Sequence, residues 1–548
     1  MRLFNRKITL SVVVSSVFLG INPFLWAENT GANAKLSSNQ TVRWNIGADP
    51  ASLDPHKIEG VPEGHVAQNI FETLVVSDNQ GHLLPGVAER WEHNDDYTVW
   101  TFYLRPDAKW SNGDPVTAND FVYAFRRLAD PQTASPYASY LTFLKLKNAE
   151  EVISGKKSPE NLGVTALDNN RLQLNLSQSI PYADELLEYY SMVPLNQKVV
   201  EKYGDAWTKP ENIVTNGPFK PSNWIVNEKI ELAPNPYYWD AKNVKLKQVI
   251  LYPIASANTD VDRYRSGGID ITGGALPVDL FNRLKKDYPN QVYTPKTLCT
   301  YYYEINNKRA PFNNRDVRLA LSMALDRNII TNKVMGQGQQ VTYTFTPNYI
   351  NGGEKIKNPE WASWTQAERN QKAIELLEKA GYSSANPLTF NLLYNTSENH
   401  KRIAIAASAI LRQNLKGLVR VKLENQEWKT YLDSRHQGNY DVARAGWCAD
   451  YNDASSFLNY FLSHSTTNSS FYHNKFYDEA VAQSYRAKTN TQRAEDYAKA
   501  EAILDQDVAV IPIFNSVNAR MIKPYVKGFD VDNPANNYYL KNVYIEEH

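Results

Sequence analysis

Leu388-Thr389-Phe390-Asn391-Leu392-Leu393-Tyr394, then Arg402 to Leu415, then Val419-Arg420-Val421-Lys422-Leu423 are three successive blocks with different apolar patterns. The first is a dense apolar run of strand length. The second is rich in Ala and Ile and long enough for roughly four helical turns. The third alternates Val419, Val421 and Leu423 with two cations, the period of a strand. Strand, helix and strand in succession predict a crossover unit of a parallel sheet. Just upstream, Glu368–Ala380 places Ala373, Leu376, Leu377 and Ala380 at helical spacing, and Gly381 supplies the stop. Farther out, Val317–Val334 reads as one long amphipathic helix opening after Asn314. Asp120 to Leu128 reads as a helix led in by Pro115-Val116-Thr117-Ala118-Asn119, and Trp100 to Leu104 and Thr41 to Ile46 read as strands. The fold class is therefore α/β. No repeat, low-complexity tract or flexible linker interrupts the chain, so its domains are joined by short strand-like crossings that suit hinges.

The first 27 residues read as a secretory signal peptide. Arg2, Arg6 and Lys7 precede a short apolar run from Ile8 to Ile21, and Leu25-Trp26-Ala27 ends in a small residue. The apolar run is shorter than the roughly 20 residues a spanning helix needs. No cysteine stands near the cleavage point, so no lipid anchor is expected, and a periplasm is the expected compartment. The mature chain of roughly 521 residues suggests about three domains. Its formal charge is near −3, from 56 Lys+Arg against 59 Asp+Glu. No basic stripe argues for nucleic acid. The 34 Tyr and 12 Trp suit half-polar pockets, because each has an apolar body and a polar tip. Cys299 and Cys448 are the only cysteines. In an oxidising compartment they are a disulfide candidate, and buried free thiols are the alternative.

A search for catalytic constellations yields little. The nine histidines are scattered, with no HExxH pair, no zinc spacing and no GxSxG elbow. Gly336-Gln337-Gly338 begins like a dinucleotide loop, but Val341 stands where the third glycine belongs. Asp450 and Asp453 could pair for glycoside hydrolysis, yet carboxylates this close in sequence are more often loop or solvated charges. The weight falls on binding rather than catalysis, with no cofactor expected.

Three segments resemble the extracytoplasmic peptide-binding proteins of ABC importers. The first runs from Gly86-Val87-Ala88-Glu89-Arg90-Trp91 through Trp100-Thr101-Phe102-Tyr103-Leu104-Arg105 to Val116-Thr117-Ala118-Asn119-Asp120-Phe121. The second holds Pro311-Phe312-Asn313, Val317-Arg318 and Asp326-Arg327, and the third is Arg444-Ala445-Gly446-Trp447-Cys448-Ala449-Asp450-Tyr451-Asn452. Ser52-Leu53-Asp54-Pro55-His56-Lys57-Ile58-Glu59-Gly60-Val61-Pro62 matches the same family. The resemblance implies a two-lobed periplasmic binding protein fold of three domains with the ligand enclosed between lobes. The implied boundaries are 28–71, 197–298 and 518–548 for a discontinuous domain I, 72–196 for domain II and 299–517 for domain III. It also implies a Cys299–Cys448 bridge, short peptides as cargo, an inner-membrane ABC permease as partner, and a monomer.

A binder indifferent to peptide sequence must read the backbone and the two termini. By resemblance, Val61 lines one strand edge, while Gly446 and Cys448 line the other through main-chain groups. Asp450 would hold the ligand ammonium, supported by Tyr137, and Arg444 and His400 would meet a carboxylate. Trp428, Arg435, Trp447, Glu59 and Glu304 are pocket candidates. Micromolar affinity needs about −8 kcal/mol, which backbone hydrogen bonds of ~0.5–1.5 kcal/mol each do not easily reach. The terminal ion pair must contribute, and Asp450 is the residue whose loss should hurt most.

The chain also departs from the family's pattern. Gly273-Gly274-Ala275 replaces a bulkier polar stretch, and Phe514-Asn515-Ser516 replaces a tyrosine run. Met335 and Tyr189 replace cations that serve the carboxyl ends of longer peptides. Competing readings are another cargo (murein peptide, dipeptide, haem or a metal chelate) or an envelope chaperone that grips unfolded segments. A closing trap should hold peptides of a few residues, and a chaperone should prefer long chains.

Overall fold

The structure is a computed structural model that describes residues 35–78 and 82–548. The expected signal peptide lies outside the described residues. The strands that position the site are β1 (Thr41–Asn45), β2 (Ala88–His93), β3 (Val99–Leu104), β4 (Val164–Asp168) and β5 (Arg171–Asn175). They continue with β6 (Phe219–Ile225), β7 (Lys229–Pro234), β8 (Gln248–Tyr252), β9 (Lys296–Ile305) and β10 (Gln340–Val341). The last four are β11 (Leu388–Asn395), β12 (Val419–Gln426), β13 (Val442–Cys448) and β14 (Val510–Val517).

These strands form three sheets with orders β1-β8-β7-β6, β2-β3-β5-β4 and β10-β14-β9-β13-β11-β12. In the largest, β11 runs parallel to β12 from Leu388↔Val419 to Asn395↔Gln426, and also parallel to β13. β9 is antiparallel to both β13 and β14. The crossover predicted at 388–424 is therefore present, and helix α7 (Glu398–Asn414) is its connection.

Helices α1 (Val61–Ile70), α2 (Ala118–Ala129), α3 (Ala257–Arg265) and α4 (Val278–Asp287) belong with the two smaller sheets. Helices α5 (Arg315–Ala324), α6 (Gln366–Lys379), α7 and α8 (Trp428–His436) accompany the largest sheet. α2 starts at a capping box, in which Thr117 and Asp120 bond reciprocally. Each closes an otherwise unpaired backbone donor. α6 has the same device at Thr365 and Glu368, and it ends at Gly381 with φ +92°.

The predicted single helix over 317–334 is broken. α5 ends at Ala324, and a π-helical turn, Ile329–Met335, follows. The cause is Arg327, whose buried guanidinium donates to the carbonyls of Ser322, Leu325 and Pro512. It satisfies the last helical turn from below and ties it to β14.

The two smaller sheets share a continuous core that includes Trp44, Trp100, Phe102, Leu232 and Val249. A separate core packs α5, α6 and α7 on the largest sheet through Val317, Leu321, Leu377, Leu392, Ala407 and Ile513. The molecule is two-lobed, and a cavity lies between the lobes. Cys299 and Cys448 face each other across β9 and β13 and are bonded as a disulfide.

Candidate functional site

A cavity of about 440 Å³ is lined from both lobes, a size within the range of small-ligand sites. Strand β13 forms much of one wall. With side chains alternating along a strand, Arg444, Gly446 and Cys448 fall on one face, and all three line the cavity. Asp450 continues the same period just past the strand end and also lines it.

Asp450 sits deep in the protein with part of its surface open to the cavity. The Tyr137 hydroxyl donates to its Oδ1 at 3.3 Å, and the Asp450 backbone N–H donates to Ser456. Burial pushes the carboxyl well above the usual carboxylate range, and the Tyr137 and Tyr189 hydroxyls only partly offset this. Among the described residues no cation pairs with it. A buried carboxyl without a cation is costly in its charged form, so burial favours its protonated form.

Around Asp450 the aromatic rings are dense. The Tyr137 and Tyr189 centroids are 4.8 Å apart, those of Tyr189 and Tyr190 4.2 Å, and Trp447 stacks on Tyr137 at 6.5 Å. Tyr189 thus lies beside Asp450, at the same end as Tyr137. Met335 is buried in the cavity wall.

Arg444, six residues before Asp450, donates to Asn395 at 3.2 Å and lies 4.9 Å over the Tyr301 ring. Its Nε is buried without a partner. His400, on the first turn of α7, is 3.5 Å from the Tyr301 hydroxyl. Burial and the Arg444 charge hold its pKa well below the usual value, so the imidazole is neutral and Arg444 supplies the positive charge here.

Glu59 and Trp428 line the cavity and bridge the lobes. Glu59 meets His436 at 3.0 Å, and Trp428 donates to Glu63 at 2.8 Å. Burial opposes the charge on Glu59, but His436 and Arg435 outweigh it and hold the pKa down.

Two expectations need correction. Val61 is not on a strand edge: it is the first residue of α1, after the cap Gly60. It lines the cavity and is exposed, and it belongs to a turn whose N–H groups lack helical partners. Glu304 does not line the cavity. It is fully buried behind the wall, where it accepts from Arg435 at 2.8 Å and from Tyr460 and Ser469. Arg435 reaches the wall, but its charge is committed to that pair. The sequence reading missed Tyr190, Asn395, Gln68 and Asn518, which also line the cavity. Only the doubled tyrosine at 189–190 offered a signal.

Residues 82–469 match the family described as bacterial extracellular solute-binding proteins, family 5 middle. The periplasmic oligopeptide-binding protein OppA of Haemophilus influenzae is 52% identical over 98% of this chain and 99% of its own. A crystal structure of Haemophilus influenzae OppA in complex with RPPGFSPFR aligns with a TM-score of 0.93 at 54% identity, covering 94% of this chain and 100% of that one. The unliganded open form of the murein tripeptide-binding protein MppA aligns over the same 94% of this chain and 99% of its own, at 41% identity, with a TM-score of only 0.65. Equal coverage with a lower score reflects a different lobe arrangement, and the lobes here stand as in the peptide complex. The two-lobed architecture, the walled cavity and these alignments agree: the chain belongs to the family 5 bacterial extracellular solute-binding proteins.

Proposed function

We propose that this protein is a periplasmic binding protein that captures short peptides with little regard to sequence and delivers them to an ABC permease. The observation that carries the reading is Asp450, a deep cavity-lining carboxyl held by Tyr137 and without a cationic partner. A peptide ammonium is the group that completes it, and a charge-assisted bond in such surroundings is strong. Arg444, at the other end of the same strand face, is placed for a carboxylate, with His400 as a neutral hydrogen-bonding neighbour. Between them, Gly446 and Cys448 offer main-chain groups for strand-like pairing. The relative's complex with the nine-residue RPPGFSPFR supports peptide as the cargo class, and it argues that the length limit is not as short as a few residues.

The domain division at 28–71 with 197–298 and 518–548, at 72–196 and at 299–517 is supported by the sheets. β1 and β6–β8 fall in the first and β2–β5 in the second, while β10–β14 and all of β9 after its first three residues fall in the third. Capture leaves the peptide chemically unchanged. The protein acts as an unlipidated monomer after removal of residues 1–27.

Native mass spectrometry of the protein secreted from its own gene, followed by denaturation, tests the reading. A ladder of heterogeneous intact peptides that disappears in Asp450→Ala is the expected result. A single non-peptide mass, or a load indifferent to that substitution, would overturn it. N-terminal sequencing of the same sample locates the cleavage site.

A further inference from the structure

The first turn of α7 faces two ways. Asn399, His400 and Ile403 line the cavity. Glu398 and Arg402, one turn apart on the other face of the helix, reach the opposite lobe instead. Glu398 accepts from Ser256 at 3.0 Å and from Asn258 at 3.1 Å, both at the start of α3. Arg402 binds both carboxylate oxygens of Asp279 on α4, at 3.1 and 2.6 Å. None of these five residues lines the cavity. Glu398 and Arg402 have the spacing of an intrahelical ion pair, yet each is directed across the lobe boundary.

From this geometry we infer that Glu398 and Arg402 form a latch, positioning residues that hold the first turn of α7, and with it Asn399 and His400, closed over the ligand. The inference rests on the proposed peptide capture. Ser256 caps α3 through Thr259, and the neighbouring Ile254, Ala255 and Ala257 line the facing wall. One turn on each side therefore carries a cavity face and a boundary contact, so opening the latch withdraws both walls together. The latch joins whenever the lobes meet, with or without ligand, and a ligand enters the open form, so the latch acts mainly on release. Its loss raises the dissociation rate and leaves the association rate nearly unchanged. Both ion-pair partners are substantially exposed, so the effect is modest and falls with salt.

The test uses the full mature protein and trialanine, followed by stopped-flow tryptophan fluorescence. Arg402→Ala and Glu398→Gln are each expected to raise the dissociation rate about two- to fivefold, with association within twofold. The reversed pair Arg402→Asp with Asp279→Arg should recover most of the Arg402→Ala loss, which a merely structural role would not allow. A dissociation rate unchanged in the Glu398→Gln/Arg402→Ala double variant, or an effect confined to association, overturns the latch. A second readout needs no peptide. Small-angle scattering of the ligand-free protein should show a larger radius of gyration in the double variant, and an identical radius counts against the latch. If the wild type binds neither trialanine nor RPPGFSPFR while the radius shifts, the peptide reading fails and the latch stands.

Discussion

The Tyr137 hydroxyl meets the Asp450 carboxyl at 3.3 Å although 313 positions separate them in the chain. The pair joins the two lobes at the cavity wall. Asp450→Asn keeps the shape and removes the ability to carry a negative charge. Peptide binding should fall at least a hundredfold, in line with the ~3–5 kcal/mol for stripping one partner from a buried pair. The empty variant should melt higher than the empty wild type at neutral pH. The folded carboxyl keeps its proton above the ordinary value of 3.8 while the unfolded one loses it, so wild-type stability declines as pH rises through that range. Titration calorimetry and thermal melts check both halves, and a variant that still binds tightly removes Asp450 from the site.

Binding itself should carry a proton signature. A ligand ammonium requires the ionised carboxylate, whereas burial favours the protonated form in the empty site. Capture therefore releases up to one proton. Affinity drops by up to tenfold per pH unit as pH falls below the raised pKa of the empty state. Calorimetry in buffers of different ionisation enthalpy measures the proton count directly, and the slope should vanish in Asp450→Asn.

Glu304 separates support from contact. It is sealed with Arg435, Tyr460 and Ser469, so Glu304→Gln should destabilise the fold by about 3–5 kcal/mol. Any affinity change should follow from stability alone. Urea unfolding beside peptide titration distinguishes the two. A stable variant with altered peptide preference would return Glu304 to the pocket.

Gly446 offers the reverse case. It sits in a strand, with no positive φ to strain, and is exposed to the cavity. A Cβ there would meet Arg444 Nη2 at 3.3 Å and the Thr300 carbonyl at 3.8 Å. Gly446→Val should leave stability within about 0.5 kcal/mol and weaken peptide binding at least tenfold, because the branched side chain occupies the ligand's place along β13. Normal affinity in a stable variant would mean that the peptide does not run there.

What was legible in the sequence follows from periodicity. The unit at 388–424 has one face on a core and one on solvent in its helix, and its boundaries were read to within a few residues. Val317–Val334 looked continuous because the apolar spacing persists through a break that a buried arginine makes, and spacing carries no record of such a bond. Glu304 was misplaced for a different reason. From Thr297 to Ile305 every residue of β9 is buried, so alternation gives no clue to which face meets the cavity and which the interior. Tyr189 needed the third dimension, since its neighbours Tyr137 and Asp450 come from distant segments.

The period-two row Arg444, Gly446, Cys448, Asp450 has one more implication. On the proposed roles, a single uninterrupted backbone separates the groups for the two ends of a ligand, at about 3.3 Å per residue. It acts as a fixed measuring stick: one inserted residue would turn one anchor to the wrong face and reset the distance between them. Variation among such proteins should therefore gather in the loops and the side-chain pockets, while the number of residues between the anchors stays constant.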